Sequence, residues 1–164
     1  MRRQAILLNG PSGGGKSTLA RALRRLLQEQ GRELGIVSID DLLEMSSDEP
    51  IYEDDVYAIT SELGARARAV LDACGGVIID QVMTSERIFD GMLQALDGCP
   101  TLTVRVACAP EVLRRREVQR GDRCIGSAEA SERYLYPKTG YDVTVDTGET
   151  SPDACARRIL QALD

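Results

Sequence analysis

Apolar positions recur along this chain in two rhythms, short continuous runs and helical stripes. Gln4 to Asn9 is a short apolar run that stops at glycine, the pattern of a strand buried on both faces. From Ser17 to Gln30, Leu19, Leu23, Leu26 and Leu27 fall at helical spacing, and Gly31 suits the left-handed residue beyond a helix end. Leu34 to Ile39 predicts a second strand ending at Asp40-Asp41, and Ser46 to Pro50 a break. Asp54 to Cys74 predicts a helix with Val56, Ile59, Leu63, Ala67 and Val70 on one stripe, ended by Gly75-Gly76. Val77 to Asp80 predicts a third strand, Thr84 to Leu96 a helix stopped by Gly98 and Pro100, and Thr101 to Ala107 a fourth strand. Pro110 opens a basic helix reaching Arg120. Gly121 to Ser127 is a polar loop before a short helix ending near Tyr134. Tyr141 to Val145 predicts a fifth strand, and Ser151-Pro152-Asp153 starts a last helix. Strands alternating with helices predict an α/β fold with a mainly parallel five-stranded sheet covered on both faces.

Composition narrows the chemistry. A length of 164 residues predicts one domain, residues 1–164. The chain has no histidine, which excludes Ser-His-Asp and Cys-His catalysis and every His-ligated zinc site. Five cysteines form no CxxC pair, which points to reduced, mostly buried thiols in a cytoplasm. No apolar stretch approaches the ~20 residues of a membrane span, and Ala5 to Leu8 is too short for a signal-peptide core. A cytoplasmic protein without membrane partners is therefore expected. Net charge is −6, but Glu33 to Ala65 contains ten carboxylates and no Lys or Arg. That stretch excludes nucleic-acid binding through it, because phosphates need cations opposite them.

Gly10-Pro11-Ser12-Gly13-Gly14-Gly15-Lys16-Ser17 fits the phosphate-binding pattern GxxxxGK[ST], with Thr18 next on the helix. Glycines let backbone N–H groups curl around phosphate oxygens, and the helix presents its N-terminal amides to the same anion. Lys16, one of only two lysines in the chain, is placed to bridge the β- and γ-phosphates, and the Ser17 hydroxyl to ligate Mg²⁺. Asp80 closes an apolar strand, as a carboxylate holding the metal or its water shell would. Arg114, Arg115, Arg116, Arg120 and Arg123 fall within ten residues, with Arg116 and Arg120 on one helix face. Beside a phosphate loop these predict a lid, about residues 117 to 130, in which Arg116 holds ATP while Arg120 and Arg123 stabilise the phosphoryl group in transfer. Asp40, at the end of the second strand, is placed to orient an acceptor hydroxyl and take its proton. Asp41 is the alternative, or else it caps a helix beginning at Leu42.

At these motifs the chain resembles the chloramphenicol phosphotransferase family of P-loop kinases. The resemblance runs through Leu7 to the phosphate loop, Ile39-Asp40 and Val77 to Asp80. It continues through Arg116-Glu117-Val118-Gln119-Arg120-Gly121-Asp122-Arg123, Tyr141 to Thr147, and the Ser151-Pro152 helix start. It implies a P-loop kinase fold with a five-stranded parallel sheet and an arginine lid. It also implies transfer of the ATP γ-phosphate to an antibiotic hydroxyl, with Asp40 as the catalytic carboxylate. Residues about 43 to 74 depart from the family's pattern within the expected acceptor segment, about 40 to 74. An acidic stretch there suits a small hydroxyl acceptor that is cationic, or is simply a solvated face. The competing readings are a nucleotide or adenylylsulfate-type kinase, and a non-enzymatic nucleotide-binding regulatory module. An anionic acceptor would need arginines between the second and third strands, where only Arg66 and Arg68, with Arg87 beyond, are available.

Overall fold

β1 (Gln4–Asn9) is buried from Ala5 onward, and its side chains alternate between the two faces of the sheet. Ile6 and Leu8 pack under α1 (Lys16–Glu29) and α6 (Pro152–Gln161), while Ala5 and Leu7 pack under α2 (Glu53–Cys74) and α3 (Glu86–Ala95). A strand apolar on both faces belongs at the centre of a sheet, and β1 is there. The computed structural model describes residues 2–43, 48–49 and 51–163, and the order of its five strands is β2-β3-β1-β4-β5, all parallel. These are β2 (Gly35–Ser38), β3 (Gly76–Gln81), β4 (Thr101–Ala107) and β5 (Val143–Asp146). The chain reverses its direction of travel across the sheet at β1, and ligands of open parallel sheets bind at such switch points, beyond the carboxyl ends of the strands.

The expected elements are present with shifted ends. The second strand stops at Ser38, because Ile39–Asp41 closes into a 3₁₀ turn capped by the Ser38 hydroxyl. Asp41 is the last residue of that turn and Leu42 its C-cap, so Asp41 caps no helix starting there. Glu44, Ser46, Ser47 and Pro50 lie outside the described residues. On α2 the buried stripe includes Thr60 and Leu71, while Ile59 and Val70 are only half-buried, since Gly64 lets α3 approach to Ala95 and turns that face inward. The third helix starts at Glu86 because Ser85 accepts the Ile88 N–H and caps it. Cys108 and Cys155 are buried, Cys99 and Cys124 partly so, and Cys74 is exposed, so burial of the thiols is less general than composition suggests. No helix among the described residues is long and apolar enough to cross a membrane.

Two polar devices hold the walls around the carboxyl ends. Glu117, on α4 (Pro110–Arg120), is 3% exposed and accepts the N–H groups of Gly126 and Ala128 at 2.8 and 2.9 Å. It thereby satisfies the open start of α5 (Ser127–Tyr134) and fixes the 121–126 loop between the helices. Arg87 on α3 joins Glu53 and Asp54 at the start of α2 and stacks 3.8 Å above the Tyr57 ring. The Glu53 carboxyl is pulled down to about 2, first by its hydrogen bonds from Arg87 and then by that from Ser85.

Replacing Glu117 by Ala leaves two N–H groups unpaired, and about 1–3 kcal/mol of stability should be lost in urea unfolding, with faster amide exchange at Gly126 and Ala128. Replacing Arg87 by Met should reveal the pH signature of Glu53. A carboxyl depressed in the folded state stabilises it above its unfolded pKa and loses that contribution as pH falls through the folded one. The difference in unfolding midpoint between wild type and Arg87→Met should thus be full near pH 6 and shrink as pH falls toward 2.

Candidate active site

The loop after β1 turns where side chains cannot follow. A Cβ on Gly10 would sit 2.5 Å from the Val106 carbonyl oxygen of β4, so the chain leaves the sheet only as glycine. Gly13 and Gly15 have φ of 74° and 80°, and Gly15 is the N-cap of α1. The result is a ring of backbone amides at the N-terminus of a 14-residue helix, an anion cradle.

Lys16 folds back into this cradle. Its Nζ donates to the Pro11 carbonyl at 2.7 Å and lies 4.0 Å from Asp80 Oδ1, with both side chains nearly sealed from solvent. Burial pushes the Lys16 amine below its ordinary pKa, against the opposing pull of Asp80 and Asp40. Ser17 Oγ donates to Asp80 Oδ2 at 2.7 Å, so the hydroxyl and the carboxylate expected at a metal stand side by side. Among the described residues no cluster of three or more His, Cys, Asp or Glu could hold a metal by itself. Mg²⁺ needs none, because it binds through one or two protein oxygens and the phosphates of its nucleotide.

The arginines divide. Arg116 is built into the cradle: it donates to the Gly13 carbonyl at 3.3 Å and the Thr147 carbonyl at 2.8 Å, and Thr147 Oγ1 in turn donates to Gly14. Arg123 is buried and pairs with Asp122 at 2.9 Å and with Asp40 at 3.4 Å. Arg120 pairs with Asp122 at 3.1 Å and is half exposed. From α5, the Ser131 hydroxyl accepts the Ser12 N–H at 3.0 Å and closes the loop from above.

A single cavity of about 870 Å³ joins these groups. Ser12 to Thr18, Asp40, Asp80, Arg116, Arg120 and Arg123 all line it, whereas Gly10 and Pro11 lie behind, supporting the cradle. Asp40 faces the cavity and Asp41 does not. The rest of the wall includes Leu43, Ile51, Tyr52, Val56, Val82 and Tyr134, with Glu53 and Thr84 among them. Arg66, Arg68 and Arg87 are absent from it, committed to Glu62, to the Asp97 carbonyl and to the Glu53–Asp54 knot.

Sequence reasoning gave no individual role to Ser38, Glu117, Ser131 or Thr147. A single serine or threonine carries no periodic signal, and Glu117 hides in a charged run. Its one clue was position, four residues after the buried Leu113 on the same helix face.

Comparison with known proteins places the chain among its relatives. A Mycobacterium tuberculosis protein named as a candidate O-phosphotransferase, Rv2636, is 29% identical over 181 residues, covering 96% of this chain and 80% of its own. The M. tuberculosis APS kinase CysC, solved with AMPPNP and APS, superposes with a TM-score of 0.75 at 21% identity, covering 99% and 98% of the two chains. A gluconokinase from Sinorhizobium meliloti does so with a TM-score of 0.72 at 20% identity, covering 99% and 93%. These structural likenesses carry the fold, a P-loop kinase architecture. The sequence profile described as chloramphenicol phosphotransferase-like protein matches residues 3–164, and the chain belongs to that phosphotransferase family.

Proposed function

We propose that this protein transfers the γ-phosphate of ATP to a hydroxyl of a small organic molecule. The observation that carries the reading is the continuity of one cavity from the glycine cradle to Asp40 and on to an apolar wall. ATP lies with its phosphates in the cradle and against Lys16, and with Arg116 beside the nucleotide. Ser17 and Asp80 supply the hard oxygens for Mg²⁺, which when bound neutralises charge on the β- and γ-phosphates.

Asp40 lines the same cavity, where it would orient the acceptor hydroxyl and take its proton late in a loose transition state. Arg123, now paired with Asp40, and Arg120 are within reach of the transferring group if the 117–130 segment closes as a lid. Closure would exchange the Arg123–Asp40 pair for an Arg123–phosphate pair and leave the carboxylate free for the acceptor.

The acceptor wall favours an alcohol without an anionic group. It is mostly apolar, its one charged member among the described residues is the Glu53 carboxylate, and the three arginines an anion would need are tied elsewhere. That supports a neutral or amine-bearing acceptor, an antibiotic among those to be tried, over a nucleotide or sulfated nucleotide. A panel of aminoglycosides, basic peptide antibiotics, chloramphenicol and nucleoside monophosphates with labelled ATP tests it; best turnover on a monophosphate sinks the acceptor assignment.

Lys16→Ala should lower acceptor-dependent turnover by about 10²-fold or more, the usual cost of one lost electrostatic contact to a reacting group. Asp40→Asn should cost ~10²–10⁴-fold while calorimetric binding of an ATP analogue stays unchanged, and Asp41→Asn should do far less. Exchanged phenotypes for the two aspartate variants would move the base to Asp41.

A further inference from the structure

One hydroxyl ties together the two carboxylates of the proposed reaction. Ser38, the last residue of β2, stands opposite Asp80 of β3 in the parallel register. Its Oγ donates to Asp80 Oδ2 at 3.1 Å and accepts the Asp40 N–H at 3.3 Å. A serine hydroxyl has one hydrogen to give, so its donor is spent on Asp80 while a lone pair takes the Asp40 amide. Asp80 Oδ2 thus receives two hydroxyl hydrogens, from Ser17 and from Ser38, and Oδ1 is left turned toward Lys16. Asp40 meanwhile hangs on the 3₁₀ turn that the same oxygen caps.

We infer that Ser38 is a positioning residue: it holds the metal-side carboxylate Asp80 and the acceptor-side carboxylate Asp40 in fixed register through a single Oγ. The inference rests on the function proposed above. Ser38 borders neither cradle nor acceptor wall, so it acts only through its neighbours. Without it, Asp80 keeps Ser17 as its one hydroxyl partner and can rotate. The turn bearing Asp40 loses its cap at the same time. Hydrogen-bond partners behind a metal-side ligand usually affect metal affinity about 10–100-fold. A cap that served the turn alone would leave the metal untouched.

The test uses the full chain, a non-hydrolysable ATP analogue and Mg²⁺, and needs no acceptor. Nucleotide affinity is measured by calorimetry with and without Mg²⁺ for wild type, Ser38→Ala and Ser38→Thr, with amide exchange followed at Asp40. In Ser38→Ala the affinity gained on adding Mg²⁺ should fall about 10–100-fold, with the Mg²⁺-free affinity unchanged and the Asp40 amide exchanging faster. Ser38→Thr keeps the hydroxyl on a strand that tolerates a β-branched residue and should restore both. A Ser38→Ala protein with the wild-type Mg²⁺ gain overturns the assignment, and so does one that loses Mg²⁺-free affinity equally, since that marks a general structural role. If wild type itself gains nothing from Mg²⁺, the proposed function fails first and takes this assignment with it.

Discussion

A buried ammonium beside a buried carboxylate sets the terms for everything around it. Lys16 and Asp80 are both withdrawn from water, and the cost of desolvating two charges is offset only if each has further partners. Lys16 finds the Pro11 carbonyl, and Asp80 finds the hydroxyls of Ser17 and Ser38. These partners come from the loop after β1, the start of α1 and the end of β2. The pair therefore requires β1, β2 and β3 to end at one level, and the parallel register supplies that level. Any anion entering the cradle meets a lysine already oriented and already short of solvation, where electrostatic contacts are worth more than in water.

The second constraint is on the opposite side of the cavity. Arg66, Arg68 and Arg87 are drawn off into exposed ion pairs. Each such pair contributes little to stability. They nevertheless bear on the site, because among the described residues Leu43, Ile51, Val56, Tyr52 and Tyr134 line the cavity with Glu53 and without Arg66, Arg68 or Arg87. The acidic stretch of the sequence thus splits into two roles. Glu53 and Asp54 clamp α2 to α3, Glu62 pairs along its own helix, and Asp40 faces the cavity.

α4, α5 and the segment after β5 join the cradle through side-chain hydrogen bonds. Ser131 meets Ser12, Thr147 meets Gly14, and Arg116 meets Gly13. Glu117 holds the start of α5 from within. An anion in the cradle would lie close to several of these groups at once, because Ser12, Gly13, Gly14, Arg116, Ser131 and Thr147 all line the same cavity.

Much of this was legible in the order of residues. Continuous apolar runs demanded a parallel sheet with both faces covered. Gly10, Gly13 and Gly15 demanded a loop that no other residue could make, and a lysine followed by serine at a helix start has few uses besides phosphate. Local sequence fixes such features because they depend on φ, on periodicity and on helix dipoles. What the chain order could not state was adjacency across the sheet. Whether Asp40 or Asp41 meets the cavity depended on a 3₁₀ turn whose cap, Ser38, is satisfied by a residue 42 positions away. Whether Arg87 serves a ligand or a helix joint depended on how α2 packs on α3, through Gly64 against Ala95. The motif and the layer architecture were therefore determined by sequence alone. The partners of each charged side chain were decided only by tertiary structure, because hydrogen bonds and ion pairs act over a few ångströms of space and are indifferent to separation along the chain.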